Sequence, residues 1–145
     1  MSYLDYLWGQ YWWNDEQHGD AEDRYDQYTE EHESLTKFKK SVETAQAEFE
    51  GLNSSKSGAL SKVNDVKKNS ITAQRYYTGM SNIFSGVGTK VVARVYAVML
   101  EWISKKLTNY TEKISAADSD RQWYAGECQR IYAEICAEQQ KSNSC

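Results

Sequence analysis

At 145 residues with 40% hydrophobic content, the chain is long enough for one folded domain and too apolar for wholesale disorder. It contains no proline and only eight glycines, too little punctuation for a multi-stranded sheet, and this favours a few long helices. The formal charge of −4 divides unevenly: residues 1–36 carry ten acidic side chains against Arg24 alone, while residues 37–145 carry sixteen basic against eleven acidic, spread out rather than clustered, so no nucleic-acid footprint is expected.

The N-terminal segment, MSYLDYLWGQYWW, has neither a basic leader nor an uninterrupted apolar core, so ordinary secretory targeting is not expected and the product should be cytoplasmic when made. Tyr3, Leu4, Leu7, Trp8, Tyr11 and Trp12 recur at helical spacing and predict a short aromatic amphipathic helix over residues 1–14. Two readings of its aromatics stand side by side: they cap the protein's own core, or they present Trp8, Tyr11, Trp12 and Trp13 to a partner. A membrane-surface role is weaker, because the adjacent charges are acidic and anionic lipid would repel them. Residues 15–34 read as an acidic connector or the frayed start of the next helix, their like charges favouring a solvated state over packing.

From Leu35 an apolar seam runs through Phe38, Val42, Ala45, Phe49, Leu52, Ala59, Val63, Val66, Ala73, Tyr77 and Met80 in steps of three and four, interrupted at Lys56 and Ser70. This is the narrow stripe of a coiled-coil helix and predicts a first long helix over 35–78. Gly51, Gly58 and Asn53-Ser54-Ser55 lower helix propensity and predict a bend or interruption in its middle. Three glycines between Tyr77 and Gly88 mark the expected reversal of the chain, over 79–88. A second series, Tyr96, Met99, Ile103, Leu107, Tyr110, Ile114, Ala117, Arg121, Tyr124, Cys128, Ile131 and Ile135, predicts a second long helix over 89–140. Asp118, Ser119 and Asp120 are capable of capping a separate third helix, but the phase continues through them and one helix is preferred. Each stripe must bury its apolar side, and the nearest partner is the other stripe. The predicted fold class is therefore all-α, an elongated antiparallel helical hairpin with a short N-terminal amphipathic helix.

The chemistry-bearing residues form no recognisable site. His18 and His32 stand at no metal-ligand spacing from a cysteine, and no H-E-x-x-H, G-x-S-x-G or phosphate-cradling loop is present, so neither metal, cofactor nor catalysis is expected. Pairs such as Glu30 and Glu31 belong to a solvated face rather than an acid/base site. The apolar run from Val91 to Ile103 is broken by Arg94, Tyr96 and Glu101 and falls short of the roughly 20 residues that span a bilayer, so no membrane insertion is expected. Cys128, Cys136 and Cys145 suggest no disulfide framework, and the first two, if on one helix, lie about 12 Å apart, which makes them free thiols.

At the expected bend, Gln74-Arg75-Tyr76-Tyr77-Thr78-Gly79-Met80 with Phe84 five residues past the glycine, set between two long helices, resembles the WXG-type helical hairpins of bacterial type VII secretion. Tyr77-x-Gly79 stands where that family has its aromatic-x-glycine turn, with tyrosine in place of tryptophan. The longer helices, the MSYLDYL start and the segment 37–92 look more like the small helical proteins that accompany LXG polymorphic toxins. The resemblance covers roughly residues 30–118. It implies a turn motif of Tyr77, Gly79 and Phe84, and a non-enzymatic partner or targeting factor that binds the helical N-terminal region of an LXG toxin, with Trp8, Tyr11, Trp12, Met80 and Phe84 as contact residues. It also implies a candidate aromatic-x-x-x-acid export signal, Tyr11 with Asp15, and a non-Sec, type VII route out of the cell. Two alternatives remain open at this point: a structural homo-oligomer in which several copies complete one seam, and an immunity protein whose acidic N-terminus meets a basic toxin domain.

Overall fold

The structure is a computed structural model that describes residues 2–66 and 71–144, and for residues 63–66, 73 and 76 the backbone alone. The first helix opens on a capping box. The Asp5 amide donates to Ser2 Oγ at 3.1 Å, while the Asp5 carboxylate accepts from the Ser2 hydroxyl at 2.7 Å and from the Ser2 amide at 3.1 Å. These bonds from the Ser2 hydroxyl and amide hold the Asp5 carboxyl below its ordinary pKa.

Helix α1 then runs unbroken over Tyr3–Val66, α2 spans Ile71–Ser85 and α3 spans Val87–Asn143, with no strand among the described residues. The all-α class is as expected, but the boundaries differ. The predicted helix over 1–14 and the acidic connector over 15–34 are parts of α1. All nine acidic side chains between Asp15 and Glu33 face solvent, so their repulsion is screened by water. Behind them Asn14, His18, Ala21, Tyr25, Tyr28 and His32 keep the three-and-four spacing of an inward face. No interruption occurs at Gly51 or Gly58, and no described residue has a positive φ. The third helix considered from Ser119 is likewise absorbed into α3.

The chain forms two compact units, each built from antiparallel helical segments. Unit 1 combines Met1–Ser34 with Leu107–Cys145. Its core is Leu7, Ile131 and Ile135, with Leu4, Trp8 and Tyr11 packed against them. Further along, Trp13 meets Tyr124 edge-on at 6.0 Å, and the Arg121 guanidinium lies 3.9 Å from the centre of the Tyr25 ring. Tyr28 pairs with Tyr110 at 6.4 Å, beneath the Lys113 ammonium. Buried Asn14 donates to the Gln10 carbonyl at 2.8 Å. Cys128 lies on this inward face, with its thiol 3.9 Å from the Tyr11 carbonyl. Burial, followed by the charges of Asp15 and Glu127, raises its pKa. Cys128 and Cys136 are free thiols, as expected, and Cys145 lies outside the described residues.

Unit 2 is Leu35–Lys106. Here α1 buries Val42 and Leu60, α3 buries Ile103, and Phe49 meets Tyr96 at 5.8 Å. Leu60 of α1 shares a small depression with Tyr77 and Phe84, so α2 packs against the C-terminal part of α1. Within the expected bend over 79–88 the helix breaks at Gly86 and not at Gly79. Gly79 continues a helix, with no atom within 4 Å of the position a Cβ would take. A glycine permits a turn without requiring one, and the seven-residue spacing of Tyr77 and Phe84 places both on the buried side of α2. Gly86 is different. It separates α2 from α3, a Cβ there would run into the Asn82 carbonyl oxygen, and the Thr89 hydroxyl donates to the Ile83 carbonyl at 2.9 Å across the break.

Two tests follow from these positions. Gly79→Ala should stabilise the protein by up to about 1 kcal/mol, because alanine is the better helix former, whereas Gly86→Ala should cost about 1–3 kcal/mol through a forced backbone shift; urea titrations of both variants measure this. In the Cys136→Ser, Cys145→Ser background, Cys128 should react with iodoacetamide at pH 8 at least about threefold more slowly than a model-peptide cysteine. A raised pKa leaves less thiolate at that pH.

Candidate functional site

The inward face of unit 2 is less apolar than a self-sufficient helix pair requires. On α1 the shielded positions Leu35, Lys39, Val42, Gln46, Phe49 and Asn53 follow in steps of three and four, with Leu60 seven residues further on, so a lysine, a glutamine and an asparagine are among the partly shielded side chains. Phe38 and Leu52, expected in the seam, are instead about half exposed, at 48% and 54%. The seam thus keeps Leu35, Val42, Ala45 and Phe49 of the expected series, with Gln46 shielded beside Ala45, but takes Lys39 and Asn53 in place of Phe38 and Leu52. On α3 the expected Tyr96, Ile103 and Leu107 face inward, and Leu100 replaces Met99. Side chains at 63, 66 and 73, also predicted for the seam, lie outside the described residues.

What the pairing leaves out gathers on one side of the unit. Phe38 of α1 and Val91, Arg94, Val95, Val98, Met99 and Trp102 of α3 line an open groove of about 770 Å³ whose walls are almost wholly apolar. Val91, Val95, Val98 and Trp102 follow one another at helical spacing, and each is more than half exposed. At 1.5 Å per residue this stripe is roughly 17 Å long, about three turns. A contiguous apolar patch of this kind on a soluble surface marks a binding face.

The charges around the stripe are mostly positive. Lys90 stands immediately before the stripe and Arg94 within it, between Val91 and Val95, and neither makes an ion pair among the described residues. Beyond it the Lys106 ammonium lies 5.9 Å from the Trp102 ring, and the one acid within 87–106, Glu101, is paired with Lys105 at 3.1 Å. The stretch Tyr77–Asn143 also contains an 18-residue window of mean hydropathy 1.4, none of it buried, which meets the length and composition of a membrane-spanning helix.

The residues singled out from the sequence are dispersed. In unit 1, Trp8 and Tyr11 are partly buried against the Leu7 core, whereas Trp12 stacks on Trp8 at 6.0 Å and remains 61% exposed. Asp15, the acid of the candidate export signal, is exposed one turn after Tyr11. In unit 2, Tyr77 and Phe84 line a depression of about 140 Å³ with Leu60, Met80 is half-buried and Gly79 is exposed. The turn motif is thus split, its two aromatics together and its glycine apart. Among the described residues no group of three or more His, Cys, Asp or Glu is placed to hold a metal ion. The groove went unnoticed in the sequence, although the breadth of the apolar arc from Val91 to Ile103 was a signal for it: one seam needs Tyr96, Leu100 and Ile103, and Val91, Val95, Val98 and Trp102 are surplus.

No family model matches the chain, and no curated protein or solved structure matches it.

Val95→Ser should change stability by less than about 1 kcal/mol, because the side chain is already half in water, whereas Ile103→Ala, fully buried in the same unit, should cost about 2–5 kcal/mol. Thermal or urea unfolding of the two variants separates a binding face from a core.

Proposed function

We propose that this protein is a non-enzymatic partner factor of type VII secretion that binds the helical N-terminal region of an LXG-type toxin and promotes its export. The observation that carries the reading is the apolar groove of unit 2 beside a seam containing Lys39, Gln46 and Asn53. Such a hairpin has more apolar surface outside its pairing than two helices can bury, and the complement that best fills a groove between helices is another helix. The likeness of the Tyr77-x-Gly79 and Phe84 segment to the WXG-type hairpins supplies the biological setting. The mechanism is burial of apolar surface, with the toxin's helices completing the bundle. The exposed Trp12 of unit 1 is a further anchor in this reading, and Tyr11 with Asp15 is the proposed export signal.

The test is affinity capture from the native organism, with the bound protein identified and mapped by limited proteolysis. A toxin should be recovered through its helical N-terminal domain, and Val95→Asp should reduce its recovery at least about tenfold at unchanged helix content, since a charge buried in an apolar interface costs several kcal/mol. Capture through the toxin's C-terminal domain would instead make this an immunity protein.

A further inference from the structure

The two units differ in charge far more than the whole-chain value suggests. Residues 35–106 carry twelve basic side chains and five acidic, a net of seven positive, whereas the remainder carries five basic and sixteen acidic, a net of eleven negative. The apolar groove belongs entirely to the basic unit.

From this we infer that the groove of unit 2 takes an acidic amphipathic helix, laid along Val91, Val95, Val98 and Trp102 with its carboxylates reaching Arg94, Lys90 and Lys106. The inference rests on the partner-factor reading and specifies the chemistry of that partner. Arg94 is the discriminating group. It lines the groove itself, makes no ion pair among the described residues, and offers a planar fork that matches a carboxylate at two points. Arg94 would be left desolvated and unpaired by a partner helix with no acid opposite it, and a basic helix would add repulsion to that loss.

Charge also weighs against the other occupants. A second copy pairing this face with itself brings Lys90, Arg94 and Lys106 of both copies to one interface, seven net positive charges against seven, and like charges disfavour that arrangement. A bilayer-spanning role would place Lys90 and Arg94 inside the hydrocarbon, where an unpaired charge is strongly disfavoured. An anionic bilayer surface satisfies the charges, but it offers no second wall, whereas the groove is lined by Phe38 of α1 as well as by the α3 stripe.

The test uses the full chain and two fluorescein-labelled synthetic helices of about three heptads with the same leucine face, one carrying glutamates beside that face and the other lysines. Fluorescence anisotropy should show the acidic helix binding at least about tenfold more tightly than the basic one, with an affinity that falls about tenfold or more between 50 and 500 mM NaCl. Arg94→Glu should reverse the preference at unchanged circular dichroism, and Val95→Asp should abolish binding of both. Equal affinity for the two helices, or a preference that Arg94→Glu leaves in place, would overturn the inference. So would binding to phosphatidylglycerol vesicles without binding to the acidic helix, or sedimentation of the chain alone as an oligomer that Val95→Asp dissociates. The outcome is independent of the toxin assignment: a captured toxin with no charge preference leaves that reading standing and removes this one, whereas a charge preference without a toxin does the reverse.

Discussion

Two helices that pair side by side shield only the facing stripe of each, and this limit governs what each unit can do with its apolar residues. A stripe of residues at spacings of three and four provides about two contact positions per heptad, and anything apolar beyond those positions stays in water unless a further element covers it. In unit 1 the facing stripe is filled, as Leu7, Ile131 and Ile135 meet with Trp8, Tyr11, Tyr25, Tyr28 and Tyr110 alongside, while Tyr3, Tyr6, Trp12, Trp13, Trp123 and Tyr132 stay exposed. The polar member of the seam, Asn14, has its amide satisfied by the Gln10 carbonyl, as a buried polar group requires. In unit 2 the supply exceeds the limit. Phe38, Leu52, Val91, Val95, Val98 and Trp102 remain outside while Lys39, Gln46 and Asn53 are partly shielded.

That mismatch has a physical meaning for the register. Sliding α1 round by one position would bring Phe38 and Leu52 inward and send Lys39 and Asn53 out, but the heptad series of Leu35, Val42 and Phe49 already fixes the other half of the seam, and Phe49 meets Tyr96 in it. A helix with apolar residues at both neighbouring positions has an apolar arc too wide for one partner helix. Long side chains such as Lys39 tolerate the edge of a seam, because their methylenes pack while the ammonium reaches water, so the arrangement is stable without being complete. A surface of this kind suits reversible association with helices supplied from outside.

The helical class, the pairing of α3 with α1 and most of the α3 seam were legible in the sequence, because heptad spacing fixes which side of a helix is apolar and Ile103, Ala117, Ile131 and Ile135 all fall on that side. Which glycine interrupts a helix was not legible, for a local reason. Glycine lowers helix propensity by only about 1 kcal/mol, which neighbouring turns and packing override, so Gly51, Gly58 and Gly79 pass unnoticed in their helices, and Gly86 alone stands where a side chain would collide. The acidic run was misread for a similar reason: nine like charges on one side of a helix are compatible with that helix when all of them are solvated and the opposite side carries Ala21, Tyr25 and Tyr28.

The candidate site was hardest to see because periodicity reports that a face is apolar but not how many partners it has. Val91, Val95, Val98 and Trp102 have the same spacing as a core stripe, and the apolar run around them satisfies a membrane-span criterion equally well. Arg94 decides between these meanings. In a hairpin core it would be an uncompensated buried charge, and in a bilayer it would sit among lipid tails, but at the wall of a groove open to water it stays hydrated until a carboxylate arrives. The same residue that interrupts the apolar run would therefore give the groove its proposed selectivity: apolar burial supplies the attraction for any amphipathic helix, and a guanidinium with no ion pair among the described residues sets which helices retain that attraction once water is excluded.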